Sequence, residues 1–461
     1  MSHILLRGLS WQHAGRSTPA IADIDIRVER GEQILLAGDS GSGKSTLLSA
    51  LAGVLGGDDE GSLRGEITVN AATVGLVLQD PDSQVIASRV GDDVAFGCEN
   101  LGLPRDEIWR RVHDALEMVG LDVDLNHSTA RLSGGQKQRL ALAGVIAMGA
   151  EVILLDEPTA NLDPQGTAEV IAAVEHAVTE TGATLIVIEH NYSQWKKVLD
   201  RAIVLEHGRI VYDGEVAPAI ATRQIKGLPT AKPELADAPR ALWSTNLVTR
   251  FGPARTLAIP QGASTVITGA NGSGKTTWLM TMAGLIEPVA GELGYSEDIR
   301  RGLGKSPQAW SSAQLAQRIG YVFQNPEHQF VSRSVIEEMR IGPKVMGAKK
   351  SRTSPMDSKG VEERIDKLLH RLRLESLAEA NPFTLSGGEK RRLSVATALV
   401  TAPRVVLLDE PTFGQDPQTF KELVFMIREL VDEGITVASI THDELFINAL
   451  ADAHLVVSAH A

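Results

Sequence analysis

Only one cysteine, Cys98, occurs in 461 residues, which excludes an internal disulfide and any iron–sulfur or zinc site built on cysteine ligands. A reducing, cytoplasmic setting fits this composition. Long apolar runs are also missing. No stretch of roughly 18 apolar residues, enough to cross a bilayer as a helix, is found, and the opening MSHILLRGLSWQHAGRS lacks an apolar core of signal-peptide length. Contact with a membrane is therefore expected to go through another protein. Positive charge is in deficit, with 45 Lys and Arg against 58 Asp and Glu for a net −13, so the surface repels nucleic-acid phosphates and anionic lipid headgroups. Direct nucleic-acid binding is not expected.

What is present is ordinary globular material, 43% hydrophobic and 22% charged with 43 glycines. The chain is too long for one typical core, and domains of roughly 100–200 residues predict two large ones. An internal repeat supports that division. GDSGSGKST (Gly38 to Thr46) returns as GANGSGKTT (Gly269 to Thr277), and VLQDPDSQ, ending at Gln84, as VFQNPEHQ, ending at Gln329. LSGGQKQRLALA returns as LSGGEKRRLSVA, VILLDEPTANLDP as VVLLDEPTFGQDP, and IVIEH as ASITH. Five words in unchanged order imply duplication. Ser133 stands as far before Asp156 as Ser386 before Asp409, so that stretch is one rigid unit. Longer gaps on either side of Gln324 predict two insertions in the second copy, around Glu297 to Ser312 and around Lys344 to Gly360. The latter, polar and basic, reads as a mobile surface loop. KGLPTAKPELADAPRAL is rich in proline and alanine and has no periodicity, which predicts a linker at 227–240 between domains at 1–226 and 241–461.

Within each half, short apolar runs such as QILLA, VILLD and LIVIE have the length and continuous apolarity of strands covered on both faces, which predicts an α/β fold on a parallel sheet. GDSGSGKS and GANGSGKT each satisfy G-x-x-x-x-G-K-[ST] between a strand-like run and a helix-like one. In that setting the backbone of Gly38, Asp39, Ser40, Gly41, Ser42 and Gly43 curls so that N–H groups point at a phosphate chain, and Gly269, Ala270, Asn271, Gly272, Ser273 and Gly274 repeat the arrangement. Lys44 and Lys275 neutralise the outer phosphates of ATP. The hydroxyls of Ser45 and Thr276 supply oxygens to Mg²⁺, and Thr46 and Thr277 complete the loops. Asp156 and Asp409 close the strand-like runs and are placed to hold Mg²⁺ through its water. Glu157 and Glu410 follow, placed to polarise an attacking water. His190 and His442 end another strand-like run, where an imidazole reaches the terminal phosphate and that water. His3, His113, His127 and His370 show no ligand spacing and read as surface residues, and the acids of GGDDEGS read as a solvated loop.

LSGGQ at Leu132 to Gln136 and LSGGE at Leu385 to Glu389 complete a pattern that resembles the ATP-binding-cassette (ABC) ATPases, in duplicate over nearly the whole chain. The resemblance implies two tandem P-loop NTPase domains, each a mainly parallel sheet flanked by helices, with a helical signature subdomain and an antiparallel β subdomain. It also implies that the signature helix of one domain faces the phosphate loop of the other. ATP at Lys44 and Glu157 would be closed over by Ser386, Gly387, Gly388 and Glu389, and ATP at Lys275 and Glu410 by Ser133, Gly134, Gly135 and Gln136. Gln79 and Gln324 match the Q-loop, which reaches toward Mg²⁺ and reports nucleotide state to a transmembrane partner. Asp163 and Asp416 match the D-loop at the domain interface. An aromatic ahead of the first motif usually stacks on adenine; Phe251 suits the second copy, and Trp11 or His13 the first. Both copies keep the full set, which predicts two hydrolytically competent sites and a clamp that loosens when ATP is cleaved.

QDPDSQVIASRVGDDVAFGCENLG and QNPEHQFVSRSVIEEMRIGPKVMG resemble the Q-loop region of energy-coupling factor ATPases, which serve prokaryotic importers of vitamins and transition-metal ions. The first copy fits throughout; the second departs at MRIGPKVMG. This resemblance implies a transmembrane coupling subunit, a separate membrane subunit that captures substrate, and a peripheral place on the cytoplasmic face of the cell membrane. Two other readings share the paired cassettes. A duplicated sugar importer or an exporter motor lacks this Q-loop wording. A soluble ABC ATPase acting on ribosomes or nucleic acid usually carries a long charged linker, a cysteine-rich cluster domain or long coiled coils, and none of these is written in the chain.

Overall fold

QILLAG, VILLD and TLIVI cannot turn either face to water without exposing leucine, isoleucine or valine, and all three lie inside one sheet, as strands Gln33–Gly38, Val152–Asp156 and Thr184–Ile188. The computed structural model that shows them describes the chain apart from residues 1, 16–17, 40, 58–59, 161, 190–191, 224, 348–357, 413–414, 416 and 459–461. It forms two units, Met1–Gln224 and Ile225–Ala461. In the first, the sheet runs in the order Val74–Val77, Val152–Asp156, Thr184–Ile188, Gln33–Gly38, Arg201–Glu206, Arg209–Glu215. Its first five strands are parallel and the last is antiparallel. Alternation along each strand feeds two layers. Leu35, Leu155 and Val187 face helices Val90–Asn100 and Gly134–Ala147, while Ile34, Leu154 and Ile186 face helix Lys44–Leu51 and a three-stranded antiparallel sheet built from Ile21–Val28, Ile4–His13 and Gly61–Val69.

The second unit repeats this plan. Its parallel sheet runs Ile319–Val322, Val405–Asp409, Thr436–Ile440, Ser264–Thr268, Ala453–Val456, and its antiparallel sheet runs Ala258–Pro260, Arg240–Val248, Ala290–Tyr295. Two tandem α/β domains, each with a mainly parallel sheet and a separate antiparallel one, are therefore the fold. No helix among the described residues is long and apolar enough to cross a membrane.

Three expectations need correction. The stretch 227–240, read as a linker, is docked on the second unit, where Leu228 and Leu235 pack against the core and Lys232 donates its backbone N–H to Asp452 at 2.6 Å. Asp452 is itself buried, accepts from the Ser264 N–H at 2.9 Å and pairs with Arg428 at 2.8 Å. Scattered anchors of this kind leave no periodicity to read. Of the second insertion, Lys344 to Gly347 end helix Val335–Gly347 and Ser358 to Gly360 open helix Ser358–Arg371, with 348–357 outside the described residues. His3 is buried, its Nδ1 2.6 Å from the Thr184 hydroxyl. The first insertion carries helices Glu297–Arg300 and Ser312–Ala316 and buries Ile299 and Trp310.

Candidate functional site

Each phosphate loop leaves the carboxyl end of a buried strand and enters a helix, Lys44–Leu51 or Lys275–Met282. Glycine makes the turn possible. Gly43 and Gly274 cap these helices at φ 101° and 87°, and a Cβ would stand 2.4 Å from the Ala20 carbonyl oxygen in one loop and 2.6 Å from that of Phe251 in the other. Lys44 curls over its loop and donates to the carbonyls of Gly38 and Asp39 at 2.9 and 3.0 Å. Lys275 does the same to Gly269 and, at 2.9 Å, to Ala270. Each ammonium thus stands above a helix N-terminus, where its charge and the backbone N–H dipoles favour an anion. Ser40 lies outside the described residues.

Asp156 and Asp409 end strands separated from the phosphate-loop strand by one neighbour. In the second unit Asp409 is buried, takes a hydrogen bond from the Thr276 hydroxyl, and keeps Oδ2 without a protein partner. Burial holds its carboxyl above the usual carboxylate range, opposed by Thr276, Arg391 and Lys275. A hydroxyl and a carboxylate with one oxygen to spare form a donor set that fits a small, hard dication.

Glu157 and Glu410 are held at φ 49° and 50°, a left-handed conformation that costs a side-chain-bearing residue roughly 1–2 kcal/mol. Their N–H groups donate at 2.9 Å to Ile188 and Ile440 on the neighbouring strands, which locks the bend. The side chains part company. Gln79 donates to Glu157 at 2.7 Å, whereas Gln324 is exposed and Glu410 takes a hydrogen bond from Thr441. Burial, with the charge of Asp409 beside it, pushes the Glu410 carboxyl up to about 8 against the opposing pull of Thr441, Lys275 and Arg391. The counterpart of Thr441 is Glu189, which is buried and accepts from the Thr159 N–H at 3.1 Å and its hydroxyl at 2.6 Å. His442 is half-buried just past strand Thr436–Ile440; His190 lies outside the described residues.

Ser133 and Ser386 cap helices Gly134–Ala147 and Gly387–Leu399. Gln136 and Glu389, which differ in charge, do the same work, each accepting from the N–H of its serine at 2.9 and 2.8 Å. Ser133, Gly134, Ser386 and Gly387 are exposed, while Gly135 and Gly388 are buried. Sequence reasoning missed the next inward-facing residues, Gln138 and Arg391, which reach from the signature helix to carbonyls of the Q-loop. A signal existed: Gly135, Gln138, Leu142 and Val145 share one helical face, as do Gly388, Arg391, Val395 and Ala398, so the polar member stands out among small and apolar ones.

Among the adenine-stacking candidates, Trp11 is corrected: at 3% exposure it belongs to the core under the antiparallel sheet. His13 is exposed beside it. Phe251 is 66% exposed, and its backbone carbonyl borders the space above Gly274, so the residue stands at the rim of the second phosphate loop. Asp163 caps helix Pro164–Thr181, accepting from the Gly166 N–H at 2.8 Å; Asp416 lies outside the described residues.

A family model described as ABC transporter matches residues 21–160 and 254–413, one stretch in each unit. The chain therefore belongs to the ABC transporter family, as an ATP-binding ATPase with two ABC domains in tandem. It is 33% identical to a Bacillus subtilis (strain 168) protein named for HMP/thiamine import ATP binding, over 97% of this chain and 88% of that one. A Sulfurisphaera tokodaii protein named as an ABC transporter ATP-binding protein is also 33% identical, over 93% of this chain and 90% of its own length. Among solved structures, one titled RNase-L Inhibitor aligns over 97% of this chain and 87% of its own with a TM-score of 0.66 at 20% identity, a likeness of fold.

Proposed function

We propose that the chain is the fused ATPase of an energy-coupling factor-type importer, hydrolysing MgATP in two composite head-to-tail sites to drive uptake of a vitamin or a transition-metal ion. The carrying observation lies at the Q-loops. Beside Gln79 and Gln324 the chain turns apolar side chains outward, with Ile86 63% and Val331 76% exposed and Leu78 and Phe383 also facing solvent. An apolar rim next to a nucleotide-sensing glutamine suits a helix of a transmembrane coupling subunit. The similarity to a protein named for HMP/thiamine import supports the same class. A separate membrane subunit would capture the substrate, and this chain would sit peripherally on the cytoplasmic face.

In this reading Lys44 and Lys275 hold the phosphates, and Glu157 and Glu410 take the proton of the attacking water while His190 and His442 orient it. Ser45 with Asp156, and Thr276 with Asp409, would hold Mg²⁺, with Gln79 and Gln324 reaching toward it. When bound, Mg²⁺ neutralises charge between the outer phosphates. The exposed, capped helix ends at Ser386 to Glu389 and Ser133 to Gln136 supply a second anion cradle from the opposite domain, with Asp163 and Asp416 at the domain interface.

The class is tested by purifying the tagged chain from detergent-solubilised membranes of its own cells. A small coupling-type membrane subunit should accompany it; ribosomes without any membrane protein would overturn the reading. The composite geometry is tested with Ser386→Arg in a Glu410→Gln background, which should abolish the turnover left at the first phosphate loop. Undiminished turnover there would place each nucleotide within a single domain.

A further inference from the structure

The two Q-loops are fastened to their signature helices differently. One link is common to both units: the lysine after the signature pairs with a Q-loop acid, Lys137 with Asp82, and Lys390 with Glu327 at 2.6 Å. The following residue begins the difference. Gln138, 1% exposed, points Nε2 at the carbonyls of Leu78 and Gln79 from 3.4 and 3.5 Å, the outer limit of a hydrogen bond, and its Oε1 has no partner. Arg391, at the matched position and 3% exposed, donates to the carbonyls of Phe323 at 2.6 Å, of Gln324, and of Asp409 at 3.4 Å. One guanidinium therefore joins the signature helix, the Q-loop and the end of strand Val405–Asp409. Burial lowers its pKa to about 10, which leaves it charged at neutral pH, and charge-assisted bonds are roughly twice as strong as neutral ones.

The last glutamine of each Q-loop widens the gap. Gln329 reaches across to the helix, donating to the Ser394 carbonyl at 2.9 Å and to the Thr397 hydroxyl at 2.5 Å, while the Ser394 hydroxyl donates back to it at 2.7 Å. Gln84 instead turns onto its own loop, accepting from the Leu78 N–H at 2.9 Å and donating to the Leu78 carbonyl at 3.0 Å. The residues matching Ser394 and Thr397 in the first helix are Ala141 and Gly144, which offer no side-chain partner.

We infer that Arg391 and Gln329 are positioning residues that weld the second Q-loop to its signature helix, so that nucleotide contact at Gln324 moves both together, whereas the first Q-loop moves against its helix. This needs ATP binding only, and stands whether or not the membrane partner is of the importer class.

Hydrogen exchange of the full chain, read by mass spectrometry with and without MgATP, tests it. In the native chain, 319–329 and 391–399 should gain protection together at one MgATP concentration, while 74–84 responds without 138–147. The helix tips at 133–136 and 386–389 are left out because nucleotide of the opposite domain touches them in the proposed composite sites. Arg391→Gln with Gln329→Ala should speed exchange in 319–329 roughly tenfold and abolish the MgATP response of 391–399. Turnover of a chain carrying Glu157→Gln should fall roughly tenfold on adding the pair, with KM for ATP unchanged. Arg391→Lys, which keeps a charged donor, should restore part of both, and Gln138→Arg should join the responses of 74–84 and 138–147. Faster exchange spread evenly over 225–461 would make the arginine a stability residue only, and a surviving MgATP response at 391–399 would show that no weld exists. Gln329→Ala alone carries the same test should the double variant not fold.

Discussion

Gln79 donates a 2.7 Å hydrogen bond to Oε2 of Glu157, and the matching pair in the second unit is not made, because Gln324 is exposed and the Thr441 hydroxyl serves Glu410. The residue before His190 in one unit and before His442 in the other explains the change of partner. Thr441 carries a hydroxyl that donates to Glu410; Glu189, its counterpart, is instead turned to Thr159, accepting from its N–H and its hydroxyl. Gln79→Ala should therefore lower turnover of the first site roughly tenfold or more, read in a Glu410→Gln background, and Gln324→Ala should cost the second site less. Glu157→Gln and Glu410→Gln should each silence their own site by roughly 10²–10⁴. Full turnover in either single variant would show that the two sites are not equally needed.

The Glu410 carboxyl sets opposite pH trends for catalysis and for stability. Its pKa rises from 4.5 to about 8 on folding, so between those values the folded chain keeps a proton that the unfolded chain has lost. The stabilisation is complete below the lower value and disappears as pH rises through the upper one. Tm should therefore fall between pH 6 and 9 more in the native chain than in Glu410→Gln, as a roughly pH-by-pH thermal series would record. A base must be ionised to act, so kcat/KM of a Glu157→Gln chain should climb with pH and level off near 8. A flat kcat/KM profile over that range would remove Glu410 from the role of base.

Much of this was legible in the sequence because it is local. Strands covered on both faces read as continuous apolar runs, a phosphate loop needs glycine at fixed places, and a helix cap needs serine with Gln136 or Glu389 three positions on. The fold class, the phosphate loops and the acids at strand ends came from such signals. What was hidden depends on tertiary packing. Trp11 shares a buried face with Ile4 and Leu6, although it stands an odd number of positions from each, because a register shift between Leu6 and Leu9 in strand Ile4–His13 re-aims the side chains. The docking of 227–240 rests on Asp452, more than two hundred positions away. Arg391 reads as one more surface charge until a helical face is drawn and its neighbours prove apolar.

Asp452 accounts for the order of that docked segment. It satisfies Arg428, the Ser264 N–H and the Lys232 N–H together, so its removal would leave the buried Arg428 with only the partly exposed Asp432, at 3.2 Å, to answer its charge. Asp452→Ala should destabilise the second unit by about 3–5 kcal/mol. In calorimetry its transition should move down while that of the first unit stays in place. Asp452→Asn, which keeps two of the acceptor contacts, should recover part of the loss; an unmoved transition in Asp452→Ala would deny the aspartate this role.

Asp409 carries the opposite expectation. A buried carboxylate with Oδ2 unpartnered and its pKa pushed up by burial is held in place at a cost to the fold, and the chemistry that justifies the cost is the binding of a dication beside Thr276. Asp409→Asn removes the charge while keeping the shape. Without nucleotide or metal, the variant should therefore melt higher than the native chain, by roughly 2–4 °C for each kcal/mol relieved. Adding ATP with EDTA should raise both melting points alike, because the phosphate loop and Lys275 are untouched. Adding MgCl₂ as well should raise only the native chain further, and turnover at that site should fall with the lost increment. If the asparagine variant melts lower than the native chain in EDTA, Asp409 is a structural acid whose partner has been overlooked. If it gains as much from Mg²⁺ as the native chain does, the metal is held elsewhere.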